Sequence, residues 1–128
     1  MALNICTVGD LVLRQTARTL SAEEILSTTI QSLIKNMRET MWRAAGVGLA
    51  APQVGESLQL AVLEDRQEFH KKLNEAEVKE WQSTLYDYRV LTNPRIELLS
   101  SFSEVSEYEG CLSIPGLWQM FCERRLFV

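Results

Sequence analysis

Histidine is almost missing from this chain: His70 is the only one among 128 residues. One imidazole cannot form a two-histidine metal-binding face on a helix. His70 also lies in a charged stretch with no signal to orient it toward a nucleophile, so a Cys–His catalytic pair is not indicated. Cysteine is scarce as well, with Cys6, Cys111 and Cys122 at wide and irregular spacing. An odd count without a CxxC pair argues against a disulfide framework or a paired-cysteine zinc site and for reduced thiols. Basic residues are outnumbered, 13 Lys and Arg against 17 Asp and Glu, and form no stripe, which excludes a nucleic-acid partner as the expectation. No run approaches the roughly 18 apolar residues needed to cross a bilayer, so no membrane association is expected. The amino terminus, Met1 to Cys6, has no basic region leading into an apolar stretch, so no secretory signal is visible and the cytoplasm is the expected location.

The composition that remains, 46% hydrophobic and 23% charged, is that of a globular protein with a core, and the length suits one domain over 1–128. Ser21-Ala22-Glu23-Glu24 carries a capping-box pattern, and Leu26, Ile30, Leu33, Met37 and Met41 follow at spacings of three and four. This predicts one helix over 22–44 with a single apolar stripe, ended by Gly46 in a left-handed conformation and followed by a loop. Alternation over 58–63 predicts a buried strand. The charged segment 64–80 reads as a solvated insertion, in which Phe69, Leu73 and Ala76 allow a short helix. Further strands are expected at 88–92, 95–99 and 104–108, with a turn or bulge at Asn93-Pro94, and an apolar final strand over 121–128.

Two segments could carry chemistry. Gly46-Val47-Gly48-Leu49-Ala50-Ala51-Pro52-Gln53 is dense in small residues and permits close approach, either as a tight helix-to-strand connection or as a binding loop. In Glu109-Gly110-Cys111-Leu112-Ser113, an extended backbone would bring Glu109 and Cys111 to one face. A buried, inert cysteine is the alternative there.

Together these segments resemble the peptide deformylase family, whose patterns Gly-apolar-Gly-Leu-Ala-Ala-x-Gln and Glu-Gly-Cys-Leu-Ser both match in full. A weaker similarity lies at Asp10 to Ala17, which looks like Asp-Pro-x-Leu-Arg-x-x-Ala with Leu11 in place of proline. The resemblance implies an α+β fold, antiparallel strands around a central metal-binding helix, and hydrolytic removal of the formyl group from nascent N-formylmethionyl peptides. It implies that Cys111 is a thiolate ligand of a divalent metal, usually iron (Fe2+), with zinc (Zn2+) or nickel (Ni2+) as substitutes. It further implies that Gln53 donates to the developing oxyanion or the water with the Leu112 N–H as second donor, that Gly48 contacts substrate by its backbone, and that Gly46, Val47 and Glu109 help to line the methionine pocket or its entrance.

The family's His-Glu-x-x-His helix, the source of two metal ligands and the general base, does not occur in these residues. Nothing in the spacing of Cys122, Glu109 and His70 supports a substitute ligand set. The expectation is therefore a C-terminally truncated, incomplete domain that does not retain metal and is inactive alone. Losing a central helix would remove apolar burial worth about 25 cal/mol per Å2 from a net stability of about 5–15 kcal/mol, so self-association through uncovered apolar surface is expected. A non-catalytic module binding methionine-type amino termini, or a fragment completed by a second polypeptide, are the alternative readings. The long spacer between Gln53 and Cys111 looks like that of organellar and some bacterial family members, which leaves an organelle open as the location.

Overall fold

The computed structural model describes residues 1–66, 87–97, 104–116 and 118–124, with 104–109 and 118–124 described by their backbone. His70 and residues 67–80 of the charged segment lie outside the described residues, as do 98–99 and 125–128 of the expected strands.

The predicted helix is two helices. Ser21 caps α1 (Ala22–Leu26) through a complete capping box, its side chain accepting from the Glu24 N–H while the Glu24 carboxylate accepts from the Ser21 N–H. Arg18 pairs with the same carboxylate at 2.8 Å, and its hydrogen bond, with the capping bond next, lowers the Glu24 pKa to about 2. The chain then leaves the helical region at Ser27 (φ −67°, ψ 149°), whose hydroxyl donates to the Glu24 carbonyl and accepts from the Ile30 N–H, starting α2 (Thr28–Arg43). Ser27-Thr28-Thr29 is a run of side chains that compete with helical hydrogen bonds, which favours this break. The break also corrects the apolar stripe. Ile30, Met37 and Met41 are buried, but Leu26 is 79% exposed because the turn at Ser27 takes it out of register.

The end of α2 differs from expectation too. The left-handed residue is Ala45 (φ 53°), not Gly46. The Ala45 N–H bonds to the Trp42 carbonyl and the Gly46 N–H to the Met41 carbonyl, the two bonds of a Schellman motif with alanine in the position usually held by glycine.

The segment after Gly46, expected as loop, contains β1 (Gly48–Ala50) and a 3-10 turn at Ala51–Val54. Small residues have little intrinsic preference for strand. β1 exists because it pairs antiparallel with β2 (Leu60–Leu63), burying Leu49 against Val62. On its other side β2 pairs antiparallel with β3 (Arg89–Thr92), giving the order β1-β2-β3. Leu58 and Gln59 fall outside β2 and instead bridge to Arg18. Residues 95–97 are not strand. β4 (Glu104–Gly110) and β5 (Trp118–Arg124) form a second antiparallel pair, so the last strand begins three residues earlier than predicted.

The core lies between α2 and the three-stranded sheet: Ile30, Met37 and Met41 meet Leu49, Leu60 and Val62, with Leu20, Ala51 and Leu58 at the margin. The architecture is α+β with antiparallel strands. Among the described residues no helix is long and apolar enough to cross a membrane.

Candidate functional site

The two motif segments, far apart in sequence, meet at Gln53. Its carboxamide orientation follows from its partners. The side-chain oxygen accepts the Ala50 N–H at 2.9 Å, closing the 3-10 turn that Pro52 helps to start. The amide nitrogen therefore points the other way, donating to the Ser113 hydroxyl at 3.1 Å and reaching the Cys111 sulfur at 3.7 Å. Cys111 is the first residue beyond β4 and is an exposed residue, not a buried one. A turn closed by the Ile114 N–H on the Cys111 carbonyl presents Leu112 and Ser113 between them.

The amino-terminal residues buttress both segments. The Cys6 N–H donates to the Gln53 carbonyl and the Val8 N–H to the Ser113 carbonyl. Leu112 packs toward the core and closes over Gly46: a Cβ on Gly46 would lie 2.7 Å from Leu112 Cδ1. That contact, rather than backbone conformation, favours glycine there.

Gly48 is similarly close-fitting, 3.1 Å from Leu63 Cδ2 when a Cβ is added. The Glu64 N–H donates to the Val47 carbonyl, so with the register of β1 on β2 the hydrogen-bonded positions are Val47–Glu64 and Leu49–Val62. Strand alternation then turns the Gly48 N–H and C=O to the opposite side, along an edge that is open among the described residues. Val47, which precedes Gly48, and Ile114, in the turn after Cys111, are exposed apolar side chains.

The structure thus brings Gly46, Gly48, Gln53, Cys111 and Leu112 into one region, with Val47 at its rim. Glu109 lies in β4 opposite Gln119, and Cys122 lies in β5 opposite Ser106. Ser113 is the residue the sequence reading passed over. It sits inside the second motif, is buried, and is the closer of the two partners of the Gln53 amide. Its signal was its place in the Glu-Gly-Cys-Leu-Ser motif, two residues after Cys111.

Glu64 also differs from expectation. At the start of the supposedly solvated segment, its side chain is only 15% exposed and is paired with Arg38 at 2.9 Å. The Arg38 hydrogen bond is the main cause that holds the Glu64 carboxyl below the usual carboxylate range.

Polypeptide deformylase is the family whose model matches residues 2–128. The chain belongs to the peptide deformylase family. It is 38% identical over 112 residues to peptide deformylase 1A, chloroplastic/mitochondrial, of Arabidopsis thaliana, covering 88% of this chain and 41% of that protein. It is 42% identical over 117 residues to the peptide deformylase of Chlorobium phaeobacteroides, covering 91% of this chain and 54% of that one. The chain therefore spans about half the length of the curated relatives it matches. Among solved structures, the Met-Ala-Ser-bound class I type b peptide deformylase of Acinetobacter baumannii superimposes with a TM-score of 0.77 at 28% identity, covering 97% of this chain and 72% of that one. The peptide deformylase of Ehrlichia chaffeensis gives 0.78 at 29%, covering 98% and 66%.

Among the described residues, the metal-donor atom beside the Gln53 amide is the Cys111 sulfur. Its neighbour, the Gln53 amide N–H, is a hydrogen-bond donor and not a ligand. Among the described residues no group of three or more His, Cys, Asp or Glu side chains could hold a metal ion. The donor set does not fit a complete catalytic metal centre, which takes about three protein ligands.

Proposed function

We propose that these residues form the substrate-facing side of a peptide deformylase site, the part that holds a methionine-type amino terminus and supplies one thiolate. The observation that carries this reading is the Gln53 carboxamide, locked by Ala50 and Ser113 so that its N–H faces the Cys111 sulfur. A fixed donor aimed into an exposed site is suited to stabilise negative charge developing on a bound carbonyl oxygen, with the Leu112 N–H as its companion. The open edge at Gly48 offers main-chain hydrogen bonds to an extended peptide, as in strand addition. Gly46 and Val47, with Glu109, line the pocket for the methionine side chain.

In this proposal Cys111 is one ligand of a divalent metal, Fe2+ in the family, with Zn2+ or Ni2+ as substitutes. The two histidine ligands and the glutamate base of the family motif are not among these 128 residues. The 128-residue chain therefore binds nascent-type peptides, including N-formylmethionyl peptides, without turning them over. Residues 1–128 belong to one deformylase-like unit, located in the cytoplasm or an organelle. Self-association through the same exposed apolar side chains is the competing use of this face.

Titration of the 15N-labelled chain with Met-Ala-Ser and its N-formyl form tests the reading. Saturable shifts at Gly46, Val47, Gly48 and Leu112 are expected, and weaker ones with Asp-Ala-Ser. Repeating the titration at two protein concentrations separates ligand binding from self-association. No saturable shift at these residues refutes the site. Deformylation in the presence of Fe2+, Ni2+ or Zn2+ above a Cys111→Ala control would refute the claim that the chain does not act alone.

A further inference from the structure

β1 carries the peptide-facing edge, yet it is short and poorly anchored. It is three residues long, Gly48 has no side chain, and Val47 just before it is 54% exposed. Leu49 is its one large buried side chain. Only two hydrogen-bonded positions tie it to β2, at Leu49–Val62 and at Val47–Glu64. A polar residue secures each end. At the far end Gln53 takes the Ala50 N–H. At the near end the Val47 carbonyl rests on the N–H of Glu64, whose side chain is itself tightly held.

Three donors converge on the Glu64 carboxylate. Arg38 approaches side-on, its Nε 3.0 Å from Oε2 and its Nη2 2.9 Å from Oε1, while the Trp42 indole N–H donates to Oε2 at 2.8 Å. The Arg38 guanidinium is fixed in turn between two rings, 4.5 Å from the Trp42 centroid and 3.9 Å from that of Tyr88. Arg38 and Trp42 are one turn apart on α2, the helix whose other face packs in the core. A bidentate, ring-stacked arginine is geometrically specific, unlike a loose surface ion pair.

We propose that Glu64 is a positioning residue: clamped by Arg38 and Trp42 of α2, it fixes the Val47 carbonyl and so sets the peptide-facing edge of β1 relative to the helix. The value of this positioning to peptide binding rests on the site reading above, but the mechanical link does not. The clamp acts through Glu64 and touches no substrate.

Amide hydrogen exchange decides it, using variants remote from Val47. Arg38→Met removes the bidentate partner, and Trp42→Phe removes a single donor with little change in shape, so that one remains informative if the other fails to fold. The expected result is exchange at the Glu64 amide about tenfold faster or more, while the Val62 amide, the next rung of the same ladder, stays within about twofold. Unchanged exchange at Glu64 in a folded variant, or equal acceleration at Val62, overturns the clamp, since the latter would show only general loss of stability. Met-Ala-Ser titration of the same variants is expected to show affinity weakened about threefold or more if edge position matters for binding. Failure of the unaltered chain to bind that peptide would sink the site reading alone, and the exchange result would still decide the clamp.

Discussion

Gly46 shows how a single side chain's absence can be misread. Its place after a helix suggested a left-handed cap, but the strained conformation belongs to Ala45, and Gly46 is instead pressed by Leu112, with Cδ1 2.7 Å from where a Cβ would stand. Leu112 comes from the second motif, so this glycine sets how closely the two motifs approach. Gly46→Ala is expected to destabilise by about 1–2 kcal/mol, near the low end for overpacking because the tip of a flexible leucine can shift. In a Leu112→Ala background the same change should be nearly neutral. Urea unfolding of the four proteins measures the coupling, and additive effects would show that the contact does not limit packing. Gln53 and Ser113 make a parallel case: both lie within the motifs, but only Gln53 was expected at the site, and it takes the 3.1 Å hydrogen bond to Ser113, together with the Ala50 bond at 2.9 Å, to reveal that Ser113 helps to orient Gln53.

At the level of elements, local signals succeeded where their cause was local. The capping box of α1 needs only Ser21 and Glu24, and both of its bonds form. The 3.6-residue period found Ile30, Met37 and Met41, because one face of a helix is set by spacing alone. Continuity across Ser27 was misjudged because a hydroxyl that bonds to Glu24 and Ile30 competes with the helical pattern, and periodicity does not register that competition. β1 was missed for the opposite reason: nothing in Gly-Leu-Ala favours a strand until β2 lies beside it. The C-terminal cap of α2 offers a direct check. Alanine in the left-handed region is disfavoured by about 1–2 kcal/mol, and part of the gain from glycine is offset by its freer unfolded chain. Ala45→Gly should therefore raise stability by about 0.5–1 kcal/mol, seen as a higher urea midpoint with unchanged slope. A lower midpoint would mean that the Schellman geometry is not what ends the helix.

Across the whole molecule, a few polar side chains connect segments that no local pattern relates. Asn93, itself left-handed at φ 49°, accepts the Leu20 N–H at 2.8 Å and donates to the Leu20 carbonyl at 2.9 Å, pinning the approach to α1 against the end of β3. Leu20 is buried, so Asn93→Ala would leave both of its backbone groups without these partners. A loss of about 2–4 kcal/mol is expected, enough to matter in a chain of ordinary stability. Thermal or urea unfolding checks it, and a loss below about 1 kcal/mol would mean that water replaces the asparagine. The break in the strand at Asn93-Pro94 was legible, but the partner of Asn93, 73 residues away, was not.

Family membership, the α+β class, the first helix cap and the buried face of α2 were all written in residue order, because each depends on identities or on spacings of a few residues. Folding alone decided that Gln53 would meet Cys111 across 58 residues, that Leu112 would close on Gly46, and that Glu64 would turn inward to Arg38. Such contacts join groups that approach only when α2 and the sheet bury their apolar faces together, and a linear pattern carries no record of that distance.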